Sequence, residues 1–369
     1  MSPRLSWILA AALGCASPPP RPAEPERVDL YAEGDNGFHS YRIPSLVVAP
    51  KGTLLAFAEA RKNDKSDFGH IEVVLRRSSD GGRTWGPIQV VASDGENAIQ
   101  NPTAVVERET GTVWLVLIRT PGTGYRSGKD LERGPARMRR TWVTSSRDEG
   151  ATWEKPRDIT ESVCRPEWRD SIPGPGVGIQ ARDGRLVIPA YHYPVGAGTG
   201  GSLNAAMISP DRGRTWTVGE DTEPGMNESQ VAELSDGSLL LNMRSYRGLG
   251  RRGTALSRDG GRTWSKVSDD PTLVEPVCQA SLLRAGPYLL FSNPANEKRG
   301  RSRLTVRLSA DDGRTWPRAA LLEEGPSAYS CLAALPDGSI ACLYERGRKV
   351  PAETITFARF PLEWVSTIP

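Results

Sequence analysis

Charged side chains and one tyrosine stand beside short apolar runs at several places in this 369-residue chain. Arginine dominates the set, and its planar guanidinium suits bidentate binding of a carboxylate, although phosphate or sulfate would also fit. If the apolar runs are strands whose ends meet at one place, these residues predict a pocket for an anionic ligand. The set comprises Arg42, Glu59, Arg61, Asp67, Glu228, Arg244, Arg301, Tyr329 and Glu345.

The runs beside these residues have the pattern of β-strands. They are short, they are alternating or wholly apolar, and turn residues separate them. No long apolar stretch with the 3.6-residue period of an amphipathic helix follows residue 28. The sequence therefore predicts an all-β fold.

A turn motif, Ser-x-Asp-x-Gly-x-Thr-Trp, recurs five times. Its Asp and Ser/Thr side chains can bond to nearby backbone amides, its Gly can adopt a positive φ, and its Trp can pack beneath the turn. We therefore interpret these Asp boxes as structural turns without a catalytic role. Their spacing suits one four-stranded sheet each. The boxes cover residues 78–85, 146–153, 209–216, 257–264 and 309–316.

A second repeat places a turn glycine between two apolar runs. Six such hairpins predict a six-bladed β-propeller in a single domain. In each blade the start of the first strand and the end of the second lie at the same end of the central axis. We call this end the mouth, and the candidate residues above are expected to meet there. The glycines are Gly52, Gly111, Gly184, Gly237, Gly286 and Gly338.

Composition excludes several functional classes. The 47 Lys and Arg against 44 Asp and Glu leave a formal net charge of +3, which is too small to indicate a nucleic-acid-binding surface. The 5 cysteines include no CxxC pair and the 3 histidines are widely spaced. We therefore expect no metal site and no cofactor.

The N-terminus has the features of an export signal. Arg4 precedes an apolar run over residues 5–14, which is shorter than the ~20 residues that cross a bilayer. The ending Ala12-Leu13-Gly14-Cys15 resembles a bacterial lipoprotein processing site. Cys15 would then carry a lipid anchor, and the alternative is ordinary cleavage near Ala16.

These features divide the chain into a signal peptide over residues 1–15, a Pro-rich tether over 16–27 and the propeller over 28–369. The protein is expected to be exported, as a periplasmic or cell-surface lipoprotein or as a secreted protein. Its only expected membrane contact is the lipid on Cys15. The sequence leaves its oligomeric state open.

Blocks of sequence around the candidate residues follow a recognisable order. Together with the five Asp boxes, they resemble the exo-α-sialidase (neuraminidase) family from about Val28 to the C-terminus. The blocks are Tyr41-Arg42-Ile43-Pro44, FAEAR at 57–61, SDFG at 66–69, NESQ at 227–230, NMR at 242–244, FSNPA at 291–295, AYS at 328–330 and LYERG at 343–347.

The resemblance implies an enzyme that removes terminal sialic acid from glycoproteins, glycolipids or oligosaccharides. Three arginines, Arg42, Arg244 and Arg301, would hold the substrate carboxylate. Arg61 resembles a fourth arginine at the sugar pocket. Glu345 resembles the glutamate that holds Arg42 in place.

The resemblance also implies the catalytic groups. Tyr329 looks like the nucleophile, Glu228 like its base partner and Asp67 like the acid/base. Sialidases with a tyrosine nucleophile are a known exception among glycosidases, which usually employ two carboxylates. A neutral phenol avoids repulsion by the carboxylate that sialic acid carries on its anomeric carbon. Two successive inversions at that carbon would retain its configuration.

Some positions depart from this pattern or leave alternatives open. His70 stands where the family more often has an acidic residue. Cys331 and Cys342 lie on one predicted hairpin and are either a disulfide or two buried thiols. The mouth-side loops at 120–140, 194–202 and 245–253 are either solvated loops or walls that contact the glycan.

Two other functions remain open at this point. A glycan-binding propeller without activity would share the Asp boxes, although it would have no need of the three catalytic residues. A trans-sialidase, or a hydrolase of a related nonulosonic acid, would share the same core residues. Linkage preference is not encoded in any motif.

Overall fold

The computed structural model describes residues 23–122, 138–298 and 300–366. Strands dominate these residues, which confirms the predicted all-β class. The helical segments are short and lie between strands or at the C-terminal end: 3₁₀ turns at Asp35–Gly37 and Thr199–Gly201, and helices α1 (Thr160–Val163) and α2 (Glu363–Ser366).

The strands form antiparallel blades around a central axis, beginning after an initial strand β1 (Glu26–Ala32). Blade one contains β2 (Ser40–Val48), β3 (Leu54–Arg61), β4 (Ile71–Ser78) and β5 (Gln89–Ala92). Blade two contains β6 (Ala98–Val106), β7 (Val113–Thr120), β8 (Arg140–Ser146) and β9 (Arg157–Asp158). Blade three has short inner pieces, β10 (Ile172–Pro173), β11 (Gly176–Val177) and β12 (Ile179–Gln180), followed by β13 (Leu186–His192), β14 (Leu203–Ser209) and β15 (Thr217–Val218).

The second half of the chain forms three more blades, so the predicted six-bladed propeller is confirmed. Blade four contains β16 (Met226–Glu233), β17 (Leu239–Ser245), β18 (Arg251–Ser257) and β19 (Ser268–Val274). Blade five contains β20 (Ser281–Ala285), β21 (Tyr288–Pro294), β22 (Ser302–Ser309) and the first part of β23 (Arg318–Ala334). Blade six contains the rest of β23, then β24 (Ile340–Arg346) and β25 (Thr354–Phe360), and ends on β1.

The ring closes through β1, which the sequence pattern did not reveal. This strand pairs antiparallel with β25, from Glu26 opposite Arg359 to Ala32 opposite Thr354. It is the outer strand of blade six, the blade without an Asp box, and it covers the edge of β25. The last two residues of the predicted tether, Glu26 and Arg27, are therefore part of the propeller.

The hairpin of β23 and β24 decides between the two states of its cysteines. Cys331 lies opposite Leu343, and Cys342 lies opposite Leu332. Neighbouring residues of a strand point to opposite faces, so the two thiols face different sides of the blade. Both are buried and free, and the disulfide considered above is absent.

The Asp boxes form turns between the third and fourth strands, at the end of the axis away from the mouth. In the first box Asp80 accepts hydrogen bonds from the backbone N–H and the hydroxyl of Thr84, at 2.9 and 2.6 Å. The box tryptophan of one blade packs on the preceding blade, as Trp153 does on Phe57 with ring centroids 5.6 Å apart. These contacts agree with the structural role predicted for the boxes.

No helix within residues 23–122, 138–298 and 300–366 has the length and apolar character needed to cross a membrane.

Candidate active site

The inner strands are bulged where they reach the mouth. Register shifts interrupt the pairing of β2, β6, β16 and the second half of β23 with their neighbours. A bulge re-aims the side chains it contains. Ile43 and Asn101 adopt positive φ angles of 59° and 52° inside two of these bulges. Arg42, Glu228 and Tyr329 lie in or beside such bulges and so turn toward the axis rather than along a regular face.

The bulges and strand ends gather the three predicted carboxylate-binding arginines around Tyr329. Arg42 and Arg301 stand over its ring, with guanidinium carbons 5.0 and 5.7 Å from the ring centroid. Arg244 donates from Nη1 to the Tyr329 oxygen at 3.2 Å. Residues from blades one, four, five and six therefore meet at one point.

Each arginine is also fixed by a second partner. Arg42 makes a two-pronged pair with Glu345, both N···O distances being 3.1 Å. Arg244 contacts Glu228 at 2.7 Å, and Arg301 donates to the carbonyl of Val277 at 2.9 Å. Fixed guanidiniums of this kind suit a ligand that carries a carboxylate.

Tyr329 and Glu228 form the closest contact in the mouth. The phenolic oxygen donates to Oε1 of Glu228 at 2.5 Å, and both side chains are buried. Burial and the adjacent Glu228 carboxylate raise the pKa of Tyr329 well above its usual range, against the lowering effect of the three arginines. The phenol is thus protonated and stands next to a carboxylate that can accept its proton.

Asp67 is held by an arginine, a pairing that the sequence did not predict. Its carboxylate lies 2.7 Å from the guanidinium of Arg61 and is 62% exposed, whereas Arg61 is buried. Desolvation raises the pKa of Asp67, but Arg61 and Arg42 outweigh it, with a smaller contribution from Arg139. The net pKa lies below the usual aspartate range, so the carboxyl is ionised at neutral pH.

Two buried glutamates have the same structural task in successive blades. Glu345 accepts the backbone N–H of Ile43 at 2.8 Å, and Glu59 accepts that of Asn101 at 2.9 Å. In both cases the donor is the positive-φ residue of the next blade. Each glutamate also pairs with an arginine: Glu59 with Arg61 at 2.8 Å, and Glu345 with Arg42 at 3.1 Å. Sequence reasoning placed Glu59 at the mouth without recognising this role.

Blade three contributes mouth residues that sequence reasoning missed. Tyr191 and Tyr193 are buried beside each other at the end of the blade's second strand, and the Tyr193 hydroxyl accepts from the amide of Asn227 at 3.0 Å. Arg169 stands over the Tyr193 ring, 4.6 Å from its centroid. The sequence could have indicated these tyrosines as mouth residues, because they stand at the end of their strand, as Arg61 and Arg244 do in other blades.

Three further features were singled out in the sequence: His70, the mouth-side loops and the lack of a metal-ligand cluster. His70 contacts Glu72 at 3.1 Å at the start of β4. Most of the loop at 120–140 lies outside the described residues, and the loop at 245–253 is shorter than predicted because β18 begins at Arg251. No group of three or more metal-ligating side chains occurs within the part of the chain that the structure describes.

A cavity of about 930 Å³ occupies the axis at the end away from the mouth. It is lined largely by apolar residues of the inner strands, such as Leu46, Val231 and Leu282, and by none of the predicted site residues. Volume alone therefore does not mark the site, whereas the convergence of charged groups does.

The fold and the mouth together define a β-propeller with an arginine-lined pocket for an anionic ligand. Comparison with known proteins agrees with this class. Residues 52–342 match the family described as BNR repeat-like domain. The chain is 36% identical to a sialidase of Micromonospora viridifaciens over 99% of its own length and 60% of that protein, and 36% identical to a sialidase of Bacteroides fragilis over 85% and 61%.

Two further known proteins are matched over a larger share of their own length. An exo-alpha-sialidase of Aspergillus fumigatus is 32% identical over 89% of this chain and 86% of that protein. The solved structure of a Hadza microbial sialidase superimposes with a TM-score of 0.83 at 33% identity, covering 92% of this chain and 69% of that one. The chain belongs to the sialidase family. It spans about 60% of the length of the Micromonospora and Bacteroides sialidases.

Proposed function

We propose that this protein is an exo-α-sialidase that hydrolyses terminal sialic acid from glycoconjugates. The observation that carries the proposal is the buried contact between Tyr329 and Glu228 beneath three arginines. Family membership supports it, since relatives that match 85–99% of this chain are named sialidases. Retention of configuration through a sialyl-tyrosine intermediate is part of the proposal.

The arginines define the orientation of the substrate. A carboxylate bound by Arg42, Arg244 and Arg301 places the anomeric carbon, to which it is attached, over the Tyr329 oxygen. An anionic nucleophile would be repelled by that carboxylate, whereas the protonated phenol is not. As the phenol attacks, its proton passes over 2.5 Å to Glu228. The arginines stabilise the negative charge that develops on the phenolic oxygen.

Asp67 supplies the second proton-transfer group. It protonates the departing glycosidic oxygen, and after the aglycone leaves it activates the water that cleaves the sialyl-tyrosine bond. Because the Arg61 guanidinium favours the ionised form of its carboxyl, the substrate must weaken that pair before the acid can act. The exposure of Asp67 and its place between β3 and β4 leave room for this change.

The test is release of a fluorescent alcohol from an α-sialoside by the full-length protein between pH 4 and 8. Turnover by the wild type, with the α-anomer of free sialic acid appearing first in the NMR spectrum, supports the proposal. Absence of turnover across this range contradicts it. Adding lactose as an acceptor separates hydrolysis from transfer, because a transferase would form sialyllactose.

We further propose that the protein is exported and that Cys15 carries its lipid anchor. The supporting features are the charged and apolar residues that precede Ala12-Leu13-Gly14-Cys15. Metabolic labelling with palmitate is expected to mark the wild type but not a Cys15→Ala variant. Equal labelling, or none in the wild type, would contradict the anchor.

A further inference from the structure

A buried ion pair lies at the junction of blades four and five. Arg252 of β18 and Glu275, which follows β19, are 0% and 1% exposed, and their charged atoms are 2.6 Å apart. Arg252 also donates to the side-chain oxygen of Asn242 at 2.7 Å and to the carbonyl of Cys278 at 2.8 Å. The guanidinium therefore has partners on three sides, and neither charge is left unpaired.

The pair fixes the turn that leads into blade five. Oε1 of Glu275 accepts the backbone N–H of Cys278 at 2.7 Å. Between them Val277 has a φ of 57°, an unfavourable conformation for a β-branched residue that its surroundings must impose. The turn directs the Val277 carbonyl to Arg301, which donates to it at 2.9 Å.

The same carboxylate reaches the strand that carries a second mouth arginine. Oε2 of Glu275, which accepts from Arg252, lies 3.4 Å from the backbone N–H of Ser245. Ser245 directly follows Arg244 at the end of β17. One buried carboxylate thus holds the backbone beside Arg244 and, through Val277, the side chain of Arg301.

We propose that Arg252 and Glu275 are positioning residues that set the spacing of Arg244 and Arg301 for a substrate carboxylate. Neither takes part in the chemistry, since both are buried behind the residues that line the mouth. The inference rests on the proposed sialidase function, because that function identifies the carboxylate. A pair that served stability alone would affect all ligands of the mouth alike, whereas a positioning pair affects carboxylate recognition selectively.

Two variants separate these roles. Glu275→Gln preserves volume, but an amide nitrogen cannot accept a hydrogen bond, so one of the N–H groups loses its acceptor. The double variant Arg252→Met with Glu275→Leu removes both charges and leaves no buried ion unpaired. Arg284→Met is the matched control, because Arg284 is an arginine of blade five that pairs with Asp312 at the cavity away from the mouth.

The measurement is the affinity of each full-length variant, with folding checked by circular dichroism, for 2,3-unsaturated sialic acid and for its methyl ester. The first probe carries the carboxylate, the second lacks its charge, and neither has a glycosidic bond to cleave. The wild type and Arg284→Met are expected to prefer the acid strongly. In both test variants this preference should fall by about tenfold or more.

Each other outcome has a distinct meaning. If the wild type itself shows no preference for the acid, the proposed sialidase function fails and the pair has nothing to position. If the wild type prefers the acid and the folded variants retain the same preference, the positioning role is overturned. Equal weakening of both probes would also overturn it, since that result indicates a purely structural pair.

Discussion

The phenolic oxygen of Tyr329 lies 2.5 Å from a carboxylate oxygen of Glu228, although the two residues are 101 positions apart and belong to blades six and four. Nη1 of Arg244 contacts both groups, at 2.7 Å from Glu228 and 3.2 Å from Tyr329. In the proposed mechanism, transfer of the proton would therefore move a negative charge between two groups that the same arginine already contacts. The geometry requires no large rearrangement for this step.

Glu345→Gln tests how the mouth is held together. The carboxylate accepts two bonds from Arg42 and the backbone N–H groups of Ile43 and Tyr329. The amide of glutamine cannot replace all of these, so we expect a loss of about 2–3 kcal/mol in the free energy of unfolding and a KM raised about tenfold or more. Urea denaturation and steady-state kinetics measure the two effects.

The matched control is Glu324→Gln, which removes an exposed pair with Arg303. Its effect on stability should stay within about 0.5 kcal/mol. A stability and KM for Glu345→Gln that equal those of the control would contradict the role of Glu345.

The pH dependence should report the pairing of Asp67 with Arg61. A general acid acts only while protonated, and Arg61 holds the pKa of Asp67 below its usual range in the free protein. We therefore expect kcat/KM to be highest at acidic pH and to fall as pH rises through that pKa. In Arg61→Gln the pKa should rise, which moves this decline to higher pH. A decline at the same pH in both proteins would show that Asp67 is not the group being titrated.

Closure of the ring through β1 should contribute strongly to stability. Tyr31 is 1% exposed, and its hydroxyl donates to the carbonyl of Ala56 at 2.7 Å, which ties the closing strand to blade one. Tyr31→Ala should destabilise the protein by about 3–5 kcal/mol, and Tyr31→Phe, which keeps the ring, by about 1 kcal/mol. Equal and small losses in chemical denaturation would mean that β1 is not part of the stable core.

Reductant should leave the thermal stability unchanged. Cys331 and Cys342 point to opposite faces of their hairpin, so no bridge can constrain the unfolded chain. The Tm measured with and without dithiothreitol is expected to be the same. A Tm that drops on reduction would reveal a disulfide and would require a different register for β23 and β24.

Sequence patterns predicted the parts of this protein that are encoded locally. Alternating runs, turn glycines and Asp boxes repeat within each blade, so they identified the fold and the end of the axis where the strand ends meet. The arginines and Tyr329 followed because each stands next to a recognisable run.

The features that were missed have different physical reasons. The pairing of β1 with β25 joins the two ends of the chain, and β1 by itself has no distinctive pattern. The contact of Asp67 with Arg61 depends on the path of an exposed loop. Tyr191 and Tyr193 stand at the end of β13, a strand that contains no Asp, Glu, Lys or Arg, so charged residues did not indicate them.

The most direct test of the account is to capture the intermediate on Tyr329. A 2,3-difluorinated sialic acid carries a good leaving group, while its second fluorine disfavours the positive charge that builds up when the sialyl-enzyme is hydrolysed. After incubation with this reagent and proteolysis, mass spectrometry should find one sialyl adduct, on the peptide that contains Tyr329. The Tyr329→Phe variant should carry none. An adduct on Asp67 or Glu228, or turnover by Tyr329→Phe at the wild-type rate, would contradict the central claim that Tyr329 is the nucleophile.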